Sequence, residues 1–221
     1  MSETVLTALC IGGVFAGALV LAYRYGKKHR KLMEDLAAEQ GWTFSRARPD
    51  LDGLAEKLNA LLPELKCTVS YVMTVEKSGR TLRLGDGQYG YRTGSNRPQF
   101  ASYCLLESPA LKSVGAHVEI CGRTWFDAAL LGDQVDMGLS AFAEEFIVQS
   151  KDKETIWKLI DPAMQAVFLD HVAKPSCHPI QVTLDSGGIA LLTSSIDKPE
   201  RWTDLVDFAR QIEACIARQG G

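Results

Sequence analysis

The sequence predicts an α+β protein: an N-terminal single transmembrane helix, then one cytoplasmic domain with a mainly antiparallel sheet and flanking helices. Three observations predict it. Residues 5–23, VLTALCIGGVFAGALVLAY, are nineteen in a row without a charge. β-rich pieces cluster between Cys67 and Ile120 instead of alternating with helices, and amphipathic helical patterns lie before and after them. The boundary falls at residues 1–40 for the span with its juxtamembrane helix and 41–221 for the domain.

As a helix rising about 1.5 Å per residue, the uncharged run would span roughly 28 Å, close to the hydrocarbon thickness of a bilayer. Arg24, Lys27, Lys28, Arg30 and Lys31 follow it, whereas only Glu3 is charged before it. Basic residues stay on the cytoplasmic side, so the N-terminus is expected outside and the bulk of the chain inside. A secretory signal would carry its basic residues first, and Leu9 is too bulky to precede a lipoprotein cysteine at Cys10. Gly13 and Gly17 form a small-xxx-small stripe suited to packing against another span or a second copy. The basic collar marks topology and offers a surface for anionic headgroups.

Beyond the collar, Leu32, Met33, Leu36 and Ala37 continue a helical period that Gly41 should cap. Trp42 and Phe44 then begin the folded domain, with no Gly/Ser-rich linker, so the domain is expected close to the bilayer. Residues 51–62, LDGLAEKLNALL, read as a short amphipathic helix. CTVSYVMTVE, RTLRL, YGYR and FASYCLLE read as strands broken by KSG, GDGQ and TGSNRP, with AHVEI and EFIVQS as further strands. Asp161-Pro162 joins two helices, Asp as N-cap and Pro in the first turn. IQVTLD-SGG-IALLTS is a hairpin, and Pro199 to Arg218 is a helix burying Trp202, Leu205, Val206, Ala209, Ile212 and Ile216.

Residues 32–221 carry 19 Lys and Arg against 26 Asp and Glu. An acidic domain is a poor nucleic-acid binder, so no nucleic-acid partner is expected. The chain has 6 cysteines and no C-x-x-C pair, which fits buried thiols in a reducing compartment better than a disulfide framework.

Gly41-Trp42, Phe146, Val148, Ser150, Asp152, Pro162 and the 180–195 hairpin together resemble an uncharacterised family of bacterial membrane-anchored proteins. Its pattern is an N-terminal span, Gly-Trp leading into the domain, F-x-V-x-S-x-D before a helix-Pro-helix, and a terminal hairpin and helix. The resemblance covers most of residues 30–217. Members of that family carry one or two N-terminal spans, so the resemblance implies a membrane anchor followed by a cytoplasmic α+β domain, and it transfers no chemistry.

Candidate chemistry is sparse. Gly85, Gly87 and Gly90 in RLGDGQYGYR have G-x-G-x-x-G spacing, but no helix start follows to receive a pyrophosphate, so they read as backbone relief between β segments. His171, Cys177 and His178 lack a second close pair of zinc ligands. Asp133/Asp136 and Glu144/Glu145 are pairs of the kind that line solvated surfaces. No catalytic, cofactor or metal residue is assigned, and no cofactor. The balance leans away from an enzyme and toward a protein-interaction or assembly module. The lipid bilayer and a protein partner, or a second copy, are the expected partners. An enzyme using His117, His171 or His178 on a membrane-proximal substrate, or an anionic-lipid sensor, are the alternatives.

Overall fold

The computed structural model describes residues 26–92, 97–123, 133–138, 140–173, 179–196 and 198–219. The span at 5–23, with Gly13 and Gly17, lies outside them, as do Arg24, Cys177 and His178. Among the described residues no helix is long and apolar enough to cross a membrane. The chain divides into two compact units, Met1–Gly41 and Trp42–Gly221.

In the first unit, helix α1 (residues 26–40) ends at Gly41, which takes φ +68° and donates its N–H to Ala38 O at 3.3 Å. A left-handed residue there releases the helix without a Cβ penalty. Met33, Leu36 and Ala37 are buried, as their spacing predicts, whereas Leu32 is exposed.

The second unit runs β1 (Thr43–Ser45), α2 (Arg48–Leu61), β2 (Leu65–Val69), β3 (Val72–Lys77), β4 (Arg80–Tyr91), β5 (Gln99–Glu107), a 3₁₀ turn (Pro109–Ser113) and β6 (Val118–Gly122). It continues with β7 (Gln134–Val135), α3 (Ala141–Glu145), β8 (Phe146–Gln149), α4 (Lys153–Leu159), α5 (Pro162–Val172), β9 (Pro179–Asp185), β10 (Gly188–Ser194) and α6 (Pro199–Gln219). The ten described strands form one sheet in the order β1-β3-β4-β5-β10-β9-β6-β8-β7, with β2 also on β4. Every pair is antiparallel.

The helix-Pro-helix forms as its residues dictate: Asp161 caps α5 by accepting from Met164 N at 2.8 Å, and Pro162 occupies the first turn. Helix α2 begins three residues before the leucine period, at Arg48, because Pro49 is already suited to a first turn. The short β1, β7 and α3 carry too few residues to show a period.

The largest departure from the sequence reading is β4. RTLRL, GDGQ and YGYR are one twelve-residue strand, not two strands with a break. Its first half pairs with β3 and its second half with β2 along the same side. The break lies in the partner, at Ser70-Tyr71, where Ser70 N still donates to Asp86 O at 2.7 Å. At this crossing the backbones come too close for side chains. A Cβ on Gly85 would lie 2.6 Å from Tyr71 O, and one on Gly87 only 1.7 Å from Thr68 O. Gly90 meets nothing within 4 Å, so two of the three motif glycines serve the crossing.

Helices cover both faces of the sheet. On one face α2 packs Leu54, Leu58 and Leu61 against Ala101, Tyr103, Leu105, Ala190 and Leu192. Asn59 stitches α2 to β2, its side chain accepting from Cys67 N at 2.8 Å and donating to Cys67 O at 3.2 Å. On the other face α6 buries Trp202, Leu205, Phe208 and Ile212. There Phe168 sits edge-on to Phe142, Phe146 and Phe208, at centroid distances of 5.8, 5.3 and 5.1 Å.

Candidate functional site

Alternation along β4 and β5 explains where a site can form. On the α2 face, Ala101, Tyr103 and Leu105 of β5 are buried; the next residue in phase, Glu107, falls where the apolar stripe ends. Thr81 lies opposite Glu107 and Arg83 opposite Leu105, so both project on that same face. Lys57 comes from α2 above them.

These residues meet in a cleft of about 360 Å³, walled by the 3₁₀ turn with Lys112 and by the β9–β10 turn at Ser186 and Gly187. Among the described residues Glu107 is the one carboxylate in its lining. One carboxylate oxygen accepts from Lys57 Nζ and the other from Arg83 Nη1. The cleft therefore holds three cations, Lys57, Arg83 and Lys112, against one carboxylate. Partial burial and then the neighbouring Arg83 charge hold the Lys57 pKa below the ordinary lysine range. Three cations around one carboxylate give this lining a net positive charge.

A second carboxylate, Glu213 of α6, lies on the opposite face and is 3% exposed. It accepts from Arg80 Nε at 2.7 Å and from Ser108 Oγ. Arg80, immediately before the cleft's Thr81, is thereby committed elsewhere.

The β9–β10 turn is held by Asp185. Its Oδ1 accepts from Gly187 N at 3.1 Å and Ser186 Oγ at 3.0 Å, and its Oδ2 meets His117 Nδ1 at 3.1 Å. His117 Nε2 meets Glu119 at 3.2 Å. The Glu119 bond raises the His117 pKa against partial desolvation, and Asp185 adds to it. Burial pushes Asp185 up, but the bonds from Gly187, His117 and Ser186 outweigh it and leave its pKa below the usual range.

The structure separates His117 from His171, two of the three histidines considered from sequence. His117 sits between its two carboxylates on the β6–β9 surface, whereas His171 is buried on the α6 face, stacked on Phe208 at 3.9 Å and 6°. Among the described residues no group of three or more His, Cys, Asp or Glu is placed to hold a metal ion. Asp133, Asp136, Glu144 and Glu145 are exposed, and Asp136 merely accepts from Gly138 N at 2.9 Å. Cys67, Cys104, Cys121 and Cys215 are free and buried; burial pushes the Cys67 thiol up to about 11 and Cys121 to about 12, which makes them poor nucleophiles. Of the basic collar, Lys27, Lys28 and Lys31 are exposed on α1 and Arg30 is half-buried.

Sequence reasoning missed Lys57, Arg83, Glu107 and Lys112. The one available signal was phase: Thr81 and Arg83 are the polar positions alternating with Leu82 and Leu84 in β4, and Glu107 ends the apolar run of β5.

No family model matches the chain, and no curated protein matches it. Among solved structures, the chain is similar to the mycobacterial trehalose monomycolate transport factor A, TtfA, with a TM-score of 0.57 at 12% identity. The match covers 84% of this chain and 93% of that one. At that identity the likeness concerns the fold: a mixed α+β domain with a mainly antiparallel sheet and several helices, the architecture of a known transport factor.

Proposed function

We propose that this chain is a membrane-tethered domain that works by assembling with a protein partner, with its single span in the bacterial inner membrane, its N-terminus outside and its bulk in the cytoplasm. The carrying observation is the nineteen-residue uncharged run with the collar Arg24, Lys27, Lys28, Arg30 and Lys31 on one side of it only. The likeness to a transport factor supports a role within a membrane assembly and carries no substrate with it. An enzyme has less support, since His117 and His171 lie in different layers and do not converge on one pocket.

The test is crosslinking in native membranes followed by mild detergent purification of the full chain. A defined co-purifying membrane protein, or a homo-oligomer, is expected. Replacing Gly13 and Gly17 with Ile should weaken that association if the span contributes to it. Recovery of monomer alone, with no crosslinked partner, would sink the proposal. A C-terminal reporter active only outside the cytoplasm would reverse the topology.

A further inference from the structure

We infer that the cleft between α2 and the outer ends of β4 and β5 binds a dianionic oxyanion, the phosphoryl group of a small ligand or of a lipid headgroup, in competition with Glu107. This goes beyond the assembly role and holds whether or not the chain has a protein partner.

The first argument is geometric. Glu107 presents one oxygen to Lys57 and the other to Arg83, so the two cations already converge on a pair of oxygens. A guanidinium and an ammonium aimed at one oxyanion form a strong charge-assisted arrangement. The second argument is charge. Three cations line the cleft against one carboxylate, in a domain that is acidic overall. Glu213 does not correct the imbalance, because it is buried on the other face and engaged with Arg80.

Charge also selects the ligand class. A monoanion that displaced Glu107 would exchange one negative charge for another and gain little. A phosphoryl dianion adds a charge and a third acceptor oxygen, for which Lys112 and the Thr81 hydroxyl line the same cleft. The cleft's volume exceeds that of a bare phosphate, leaving room for the group that carries it. Glu107 is accessible enough to yield: its side chain is 27% exposed, against 4% for Glu213.

The experiment is a ³¹P NMR and calorimetric titration of the detergent-solubilised full chain with inorganic phosphate, with acetate as the monoanion control. Saturable phosphate binding that acetate does not displace is expected. Arg83→Gln should weaken it about tenfold. Glu107→Gln should tighten it by a similar factor and let acetate compete, a gain that a purely structural ion pair does not produce. Lys112→Ala, at an exposed position, serves if Arg83→Gln does not fold. Competition by glycerol phosphate identifies a soluble ligand; competition only by phosphatidic acid in mixed micelles identifies a headgroup. No phosphate binding by either the native chain or Glu107→Gln would overturn the inference, as would binding indifferent to the folded Arg83 or Lys112 variant.

Discussion

Glu107 and Glu213 are built alike and end up doing different things. Each takes an arginine from the start of β4, Arg83 for Glu107 and Arg80 for Glu213, and each has a second donor, Lys57 or Ser108. They differ in phase. Residues 80 and 83 lie on opposite faces of one strand, and the faces are closed differently. On the α6 face Glu213 belongs to the helix's own buried stripe, with Ile212, Cys215 and Ile216 buried beside it in sequence, and the carboxylate is sealed in. The α2 face stops at Leu105, and Glu107 is left in an open cleft. An ion pair becomes structural or available according to what covers it, not according to who its partners are.

The sharpest attempt to break this contrast is made in the two cores. Phe168→Ala, at the centre of the aromatic cluster, should cost about 3–5 kcal/mol in urea unfolding of the solubilised chain. Leu58→Ala on the α2 face should cost less, about 2–4 kcal/mol, because that face ends in solvent-open charges. The reverse order would mean that the α2 face is the better sealed. Next comes the strand crossing. Gly87→Ala drives a Cβ into the Thr68 carbonyl and should cost about 3 kcal/mol, whereas Gly90→Ala should stay within about 0.5 kcal/mol. Equal effects would show that the crossing relaxes.

The carboxylates themselves come third. Glu213→Ala should destabilise by about 2 kcal/mol and resist added salt, since a buried acceptor is lost beneath Ser108 and Arg80. Glu107→Ala should cost less than about 1 kcal/mol, and 1 M salt should remove most of that. Similar costs with similar salt response would erase the distinction.

The smallest effect concerns His117, which faces Glu119 and Asp185. Its pKa is raised in the folded chain, so its contribution is complete below the unfolded value of about 6.5 and fades as pH climbs through the folded one. Asp185 works oppositely: its lowered pKa contributes above about 4 and is lost on acidification. Between roughly pH 6 and 8 the native unfolding free energy from urea titration should therefore fall by a few tenths of a kcal/mol relative to His117→Asn. Parallel pH profiles for the two proteins would remove His117 from the account.

What could be read from the sequence was what is local. Asp161-Pro162, the Asp185 to Gly188 turn and the buried stripe of α6 each depend on residues a few positions apart, and each appears as read. GDGQ was misleading for a physical reason. Glycine in sequence signals either a turn or a close approach, and the approach here comes from Thr68 and Tyr71, more than ten residues away. The cleft was hidden more deeply still. Lys57, Arg83, Glu107 and Lys112 are ordinary surface residue types from α2, β4, β5 and the 3₁₀ turn, and only the register Thr81 to Glu107 brings them together.

The three residues Thr43–Ser45 pair with Val72–Thr74 and so form the closing strip on one border of the sheet. They begin two positions after the cap at Gly41, which makes them the part most easily lost when the N-terminal segment is trimmed away. A trimmed protein starting at Trp42 keeps the strip. One starting after Ser45 strips β3 of its neighbour and presents a bare row of backbone donors and acceptors that invites a second molecule to pair. Where the cut is made decides whether a soluble preparation stays dispersed or recruits copies of itself.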